Sequence, residues 1–333
     1  MRILQGLDEW SELPDEIYAL ELGVGNGAQA RVWLDTFAAV CEEQGHDFFD
    51  RLRYVIADYS PDVLDAARRM VAPYRDQVRH LDIDLRRPLA ALADLRGRVL
   101  YAHACNVHDN LPTDEVMRVG ATAYEPLVRA YLDESKISEI CAVHGIALDD
   151  VVPTIQRVLR FGPRALGDEK DGVRFWSAVW DALGLEEIYA EIPDPSAVRL
   201  VPGVDVDLGE VLATLPEYRR VHLSSVAVES FAETLELLHP EGVLQIQDLF
   251  VRDLGQYTSF RGPGKLEGSI VNWLNGPLFQ TVGERLGFQV SLEPFTYREK
   301  SNTVVLTARR REASSDERLL TASDEILHAA AAG

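Results

Sequence analysis

Ile17-Tyr18-Ala19-Leu20-Glu21-Leu22-Gly23-Val24-Gly25-Asn26-Gly27-Ala28 is an apolar run that stops on three alternating glycines. An amphipathic stretch follows from Ala28 to about Phe49. The segment therefore predicts a buried strand, a tight loop and a helix. Glycines at such a turn let backbone approach a ligand closely, and the N–H groups that open the helix aim at whatever lies above the loop. The spacing Gly23-x-Gly25-x-x-Ala28 also satisfies a dinucleotide fingerprint, which would place a pyrophosphate there.

Two carboxylates favour S-adenosylmethionine (SAM) over a dinucleotide. Glu21 closes the strand just before the first glycine, where it would repel pyrophosphate but can serve the ammonium of a methionine moiety, directly or through water. Asp58 closes a second predicted strand, Arg53 to Asp58, and is placed to accept hydrogen bonds from both ribose hydroxyls. Ser60-Pro61-Asp62 then starts a helix, with proline in its first turn.

Further strands are expected at Val78 to Ile83, Arg98 to Ala104 and Gly242 to Gln247, with helices between them. This alternation implies a doubly wound, Rossmann-like α/β fold with a mainly parallel sheet. From about Pro112 to Pro216 the rhythm breaks, and helical segments such as Val151 to Leu159 and Phe175 to Leu183 appear among Gly/Pro turns. The interval is too long for a loop, so residues 113–215 are expected to form an inserted, mostly helical cap or substrate subdomain. Residues 1–112 and 216–311 would make the SAM-binding domain, whose alternation resumes with a strand at Arg220 to Leu223 and a helix from Val226 to Leu238. Residues 312–333 are polar and alanine-rich, as expected of a C-terminal tail.

Four features in order resemble the class I SAM-dependent methyltransferases. They are Glu21-Leu22-Gly23-Val24-Gly25-Asn26-Gly27, Asp58, Asp84 within Leu81-Asp82-Ile83-Asp84-Leu85, and the turn Leu238-His239-Pro240-Glu241-Gly242 ahead of a late strand. The resemblance covers roughly residues 17–112 and 216–310. It implies SAM as cofactor and S-adenosylhomocysteine as product, held by Glu21, Gly23, Gly25, Gly27, Asp58 and Asn106. Asp84 would take the adenine amino group, with Asp82 as the alternative, and Leu85 would pack on the ring.

A narrower resemblance is to the MidA-type methyltransferases, which include a mitochondrial complex I assembly factor that methylates arginine. Cys105-Asn106-Val107-His108-Asp109-Asn110-Leu111-Pro112 keeps the D-x-L-P part of a motif from that family, and Arg220 to Ala227 with Gln245 to Phe250 is similar to two later segments. His222 stands where the family has glutamate. This resemblance implies N-methylation of a guanidino group, on free L-arginine or an arginine-containing peptide.

Methyl transfer needs a positioned acceptor and no covalent enzyme nucleophile. In a doubly wound sheet ligands sit at the C-terminal strand ends, which carry Asn106, His108, Asp109, Asp248 and Tyr257. A guanidinium would need paired carboxylates, for which Asp109, Asp248 and Glu267 are candidates. A hydroxyl of a small metabolite would need a base, for which His108 or His222 is suited. The segment Tyr257 to Ser269 has the composition of a substrate-covering loop. A SAM-binding assembly factor without turnover is a third reading.

The formal charge of -21 disfavours nucleic acid and anionic lipid and attracts a cationic small molecule or peptide. No apolar run is long enough to span a bilayer and no secretory signal is legible, so the cytoplasm is the expected compartment. Cys41, Cys105 and Cys141 lack metal or disulfide spacing and read as free thiols; no metal is expected. A homodimer is left open.

Overall fold

A computed structural model describes residues 1–215, 218–259, 265–266, 269–270, 272–296 and 301–311. The chain opens with helix α1 (Arg2–Glu9), then strand β1 (Ile17–Leu22), helix α2 (Ala28–Gln44), β2 (Leu52–Asp58), α3 (Pro61–Met70), β3 (Val78–Asp82), the short α4 (Pro88–Leu92) and β4 (Val99–Cys105). Strands β5 (Glu115–Val119) and β6 (Thr122–Leu132) follow, then α5 (Glu134–His144), α6 (Val151–Phe161), α7 (Glu169–Ala182), β7 (Leu183–Ile192), α8 (Leu208–Thr214) and β8 (Arg220–His222). The last part comprises α9 (Ser225–Leu235), β9 (Leu238–Asp248), β10 (Phe250–Val251), β11 (Lys265–Leu266), β12 (Ser269–Ile270), β13 (Leu274–Asn275), α10 (Gly276–Arg285), β14 (Phe288–Pro294) and β15 (Val304–Arg310).

Seven strands form the main sheet in the order β14-β15-β9-β4-β1-β2-β3. The pairs β3–β2, β2–β1, β1–β4 and β4–β9 are parallel, and β15 runs antiparallel between β9 and β14. Strands β1 and β2 are apolar on both faces because both faces are covered. On one side Leu20, Leu22, Ala102, Leu244 and Ile246 pack with Phe231 of α9 and Phe279 of α10. On the other, Ile17, Ala19 and Ile56 pack with Ala30 and Leu34 of α2 and Ala67 of α3.

A second, antiparallel sheet has the order β7-β6-β5-β8. Its β6–β7 ribbon, paired from Ala123↔Ile192 to Leu132↔Leu183, carries α5, α6 and α7 around a small core that includes Ile137, Val158, Phe175 and Val179. Residues 113–215 thus contain α5 to α8 and also a ribbon that the sequence did not announce. Leu127-Val128-Arg129-Ala130-Tyr131 has no period-2 pattern, since most of this stretch is exposed on both faces.

The strand expected to resume the alternation at Arg220 is β8, and it joins the second sheet, with Glu115↔His222 and Met117↔Arg220 in register. The reason is electrostatic as well as steric: the half-buried Arg220 guanidinium pairs with Glu115 and, at 2.9 Å, with Glu187, both in this sheet. The main sheet resumes at β9. The tail 312–333 and Glu267 lie outside the described residues, as does part of the loop expected to cover substrate.

Candidate active site

The C-terminal ends of β1, β2, β3 and β4 open into one cleft of about 780 Å³, within the range typical of small-molecule sites. Gly23, Gly25, Asp58, Asp82, Asp84, Leu85, Cys105, Asn106, Val107 and Asn110 are among the residues that line it. The glycine loop is built as its sequence requires: Gly23, Gly25 and Gly27 have φ of 73°, 54° and 79°, a left-handed region that costs glycine nothing. A Cβ on Gly23 would lie 2.3 Å from Val107 Cγ2, so the loop packs directly against the turn that follows β4. Gly27 caps α2 against α3 and does not line the cleft.

Asp58 ends β2 nearly buried, and its two oxygens accept from the backbone N–H groups of Gly25 at 3.4 Å and Ser60 at 3.1 Å. Those bonds fix the carboxylate at the cleft wall beside the loop. Asp84 lines the cleft from an exposed position and pairs with Arg86 at 2.6 Å, which lowers its pKa. Ile83 and Leu85 are buried apolar walls next to it, and Asp82 lines the same wall.

Glu21 is placed differently from the expectation of a cleft-facing carboxylate. It is buried behind the loop and does not line the cleft; the Tyr54 hydroxyl donates to it at 2.6 Å. Burial pushes its carboxyl up to about 7, although the tyrosine bond pulls the other way.

Of the described residues expected on the acceptor side, Asn106 lines the cleft, with Cys105, Val107, Asn110 and Leu111 beside it. Asp248, His108, Asp109 and Tyr257 are all buried and absent from its lining, because each is turned toward protein. One Asp248 oxygen accepts from the N–H groups of Val107, His108 and Asp109 at 3.1, 2.9 and 3.3 Å. Asp109 accepts from the Asn110 amide at 2.6 Å, and burial followed by the neighbouring Asp248 pushes its carboxyl up to about 7. The His108 ring finds no hydrogen-bond partner for either nitrogen, and burial lowers its basicity.

The Tyr257 hydroxyl donates to the Trp273 carbonyl at 2.9 Å. Both ring nitrogens of His222 are engaged, one by Glu115 at 3.0 Å and one by the same Trp273 carbonyl at 3.1 Å. Neither is free to take a substrate proton. Among the described residues no His/Cys/Asp/Glu group could hold a metal, the three cysteines are free thiols, and no helix is long and apolar enough to cross a membrane.

Sequence reasoning left Val107, Asn110, Arg86 and Tyr59 of the cleft wall unassigned. Their only signal is position, one to five residues beyond a strand end.

Strand order, antiparallel β15 and the glycine-loop cleft together define a Rossmann-like class I SAM-dependent methyltransferase. Residues 4–182 match the family described as "Putative S-adenosyl-L-methionine-dependent methyltransferase", and the chain belongs to that family. It is an enzyme whose cofactor is SAM.

Two solved structures of one superfamily from Burkholderia thailandensis share the fold. One, of an uncharacterized protein, is 14% identical with a TM-score of 0.53, over 93% of this chain and 77% of its own. The other, a "likely methyl transferase" bound to S-adenosyl-homocysteine, is 13% identical with a TM-score of 0.55, over 93% of this chain and 74% of its own. No curated protein matches the chain.

Proposed function

We propose that the enzyme moves the SAM methyl group onto a small uncharged acceptor, a hydroxyl-bearing metabolite ahead of a guanidinium. The observation that carries this reading is the inward turn of Asp109 and Asp248, which leaves, among the described residues, the carboxamides of Asn106 and Asn110 at that end of the cleft. A guanidinium would call for convergent carboxylates there. Guanidino N-methylation is the second reading, favoured by the charge of -21.

Bound SAM supplies an electrophilic sulfonium methyl for in-line displacement. In this reading Gly23 and Gly25 admit it to the loop, Asp58 accepts from the ribose, and Asp82 or Asp84 takes the adenine amino group between Ile83 and Leu85. Glu21 stays behind the loop, where it holds the Tyr54 hydroxyl and does not touch the cleft. With His108 and His222 both enclosed, the acceptor loses its proton to solvent, and the enzyme's share of the work is orientation by Asn106 and Asn110. Residues 113–215, with β8, form the subdomain that would bound the acceptor's approach.

Calorimetric titration with S-adenosylhomocysteine tests the cofactor site: saturable binding weakened about tenfold or more by Asp58→Ala is expected, as loss of a charged hydrogen-bond acceptor implies. Methyl transfer to a panel of phenols and to L-arginine, read by mass spectrometry, separates the two acceptors. Turnover of arginine alone would reverse their order.

A further inference from the structure

Strand β4 ends at Cys105, and the chain leaves it through Asn106 at φ 55°, a left-handed conformation that non-glycine residues adopt at a cost. The next three residues begin a single short turn whose N–H groups all point the same way. In a buried turn those donors need partners, or each costs on the order of 1–3 kcal/mol. One atom answers all of them: the Asp248 oxygen that accepts from Val107, His108 and Asp109. The other oxygen accepts from Leu249 N at 2.8 Å, and the Asn106 N–H goes to the Gln247 carbonyl at 2.8 Å. The end of β9 therefore holds the turn from behind.

The front of the same turn faces the cleft. Asn106, Val107 and Asn110 line the cleft, and Val107 fills the space over Gly23 that a Cβ would need. An unbroken series of contacts thus runs from β9 through Asp248 and Val107 to the glycine loop. Asp248 itself is 1% exposed and does not line the cleft.

We infer that Asp248 is a positioning residue for the cofactor: it clamps the 106–110 turn against the glycine loop and so sets the width of the cleft. This rests on the assignment of that cleft to SAM. The carboxylate is suited to the task because converging N–H donors are bound best by a charged oxygen. An asparagine keeps one acceptor oxygen for the three turn donors and gives up only the bond from Leu249 N–H, whereas alanine strands all four donors.

The test is the affinity for S-adenosylhomocysteine, measured by calorimetry beside the ligand-free melting temperature, for wild type, Asp248→Asn, Asp248→Ala, Val107→Ala and the remote core variant Val282→Ala. Asp248→Ala is expected to bind at least about tenfold more weakly, with Asp248→Asn restored to within about threefold of wild type. Val282→Ala is expected to melt earlier with unchanged affinity, which separates positioning from general loss of stability. Wild-type affinity in Asp248→Ala, or a defect in Asp248→Asn as deep as that of alanine, overturns the inference.

If Asp248→Ala does not fold, Val107→Ala carries the test: several-fold weaker binding supports the clamp, and unchanged binding overturns it. Wild-type protein that fails to bind the ligand removes the cleft assignment itself, a result visible before any variant is compared.

Discussion

Glu21 and Asp109 are buried carboxyls, each pushed up to about 7 from ordinary values near 4. Between those values the folded chain retains protons that the unfolded chain releases, so these groups stabilise the fold fully below about pH 4, and that contribution is lost as pH rises through about 7. Buried His103, whose pKa is lowered to about 4, works in the opposite sense below pH 6.5. The informative quantity is therefore the difference between wild type and Glu21→Gln, whose amide cannot ionise. Urea unfolding from pH 5 to 8 is expected to show the variant gaining stability on wild type as pH rises; a constant difference would show that Glu21 does not titrate in this range. The acid itself was legible from its spacing to Gly23, but its partner Tyr54 was not, since that contact arises only from the parallel pairing of β1 with β2.

The loop joining β1 to α2 separates two jobs that its glycines perform. A Cβ on Gly27 would sit 2.8 Å from the Ala67 backbone of α3, whereas one on Gly25 meets nothing within 4 Å. Gly27→Ala is expected to cost about 1–3 kcal/mol through strain at positive φ and the lost approach of two helices, read as a lower melting temperature. Gly25→Ala carries the φ cost without the collision and puts its methyl group at the cleft, so S-adenosylhomocysteine affinity should fall more than stability.

The five parallel strands of the main sheet were readable because buried parallel strands are continuous apolar runs bounded by glycine, proline or an acid, whereas the antiparallel β14 and β15 were not expected. The second sheet was readable only in β8, whose strand was expected but whose pairing with β5 was not; the β6–β7 ribbon is largely exposed and carries no periodic signal. The inward turn of Asp109 and Asp248 was equally hidden, because it depends on β4 lying beside β9, some 140 residues further along the chain.

Across the whole molecule, the small core around Phe175 is separate from the two cores that flank the main sheet. A head built on a two-stranded ribbon has little to hold it beyond that core. Hydrogen exchange is expected to show α5, α6 and α7 opening at lower free energy than β1, β4 and β9; uniform protection would mean that the molecule unfolds as one unit. The formal charge of the sequence is -21, yet the three groups Glu115, Arg220 and Glu187 keep opposite signs adjacent within the second sheet.

The pairing of β4 with β9 also bears on the order in which the enzyme comes into being. During synthesis β1 to β4 emerge first with the glycine loop intact, but the strand that clamps the turn after β4 is translated only after the whole ribbon and its helical head. Closing so long a loop is slow compared with forming local helices. A nascent chain halted anywhere before Asp248 therefore carries every residue that lines the cleft but lacks the carboxylate that holds the turn after β4, so its affinity for the cofactor is expected to rise when β9 takes its place beside β4.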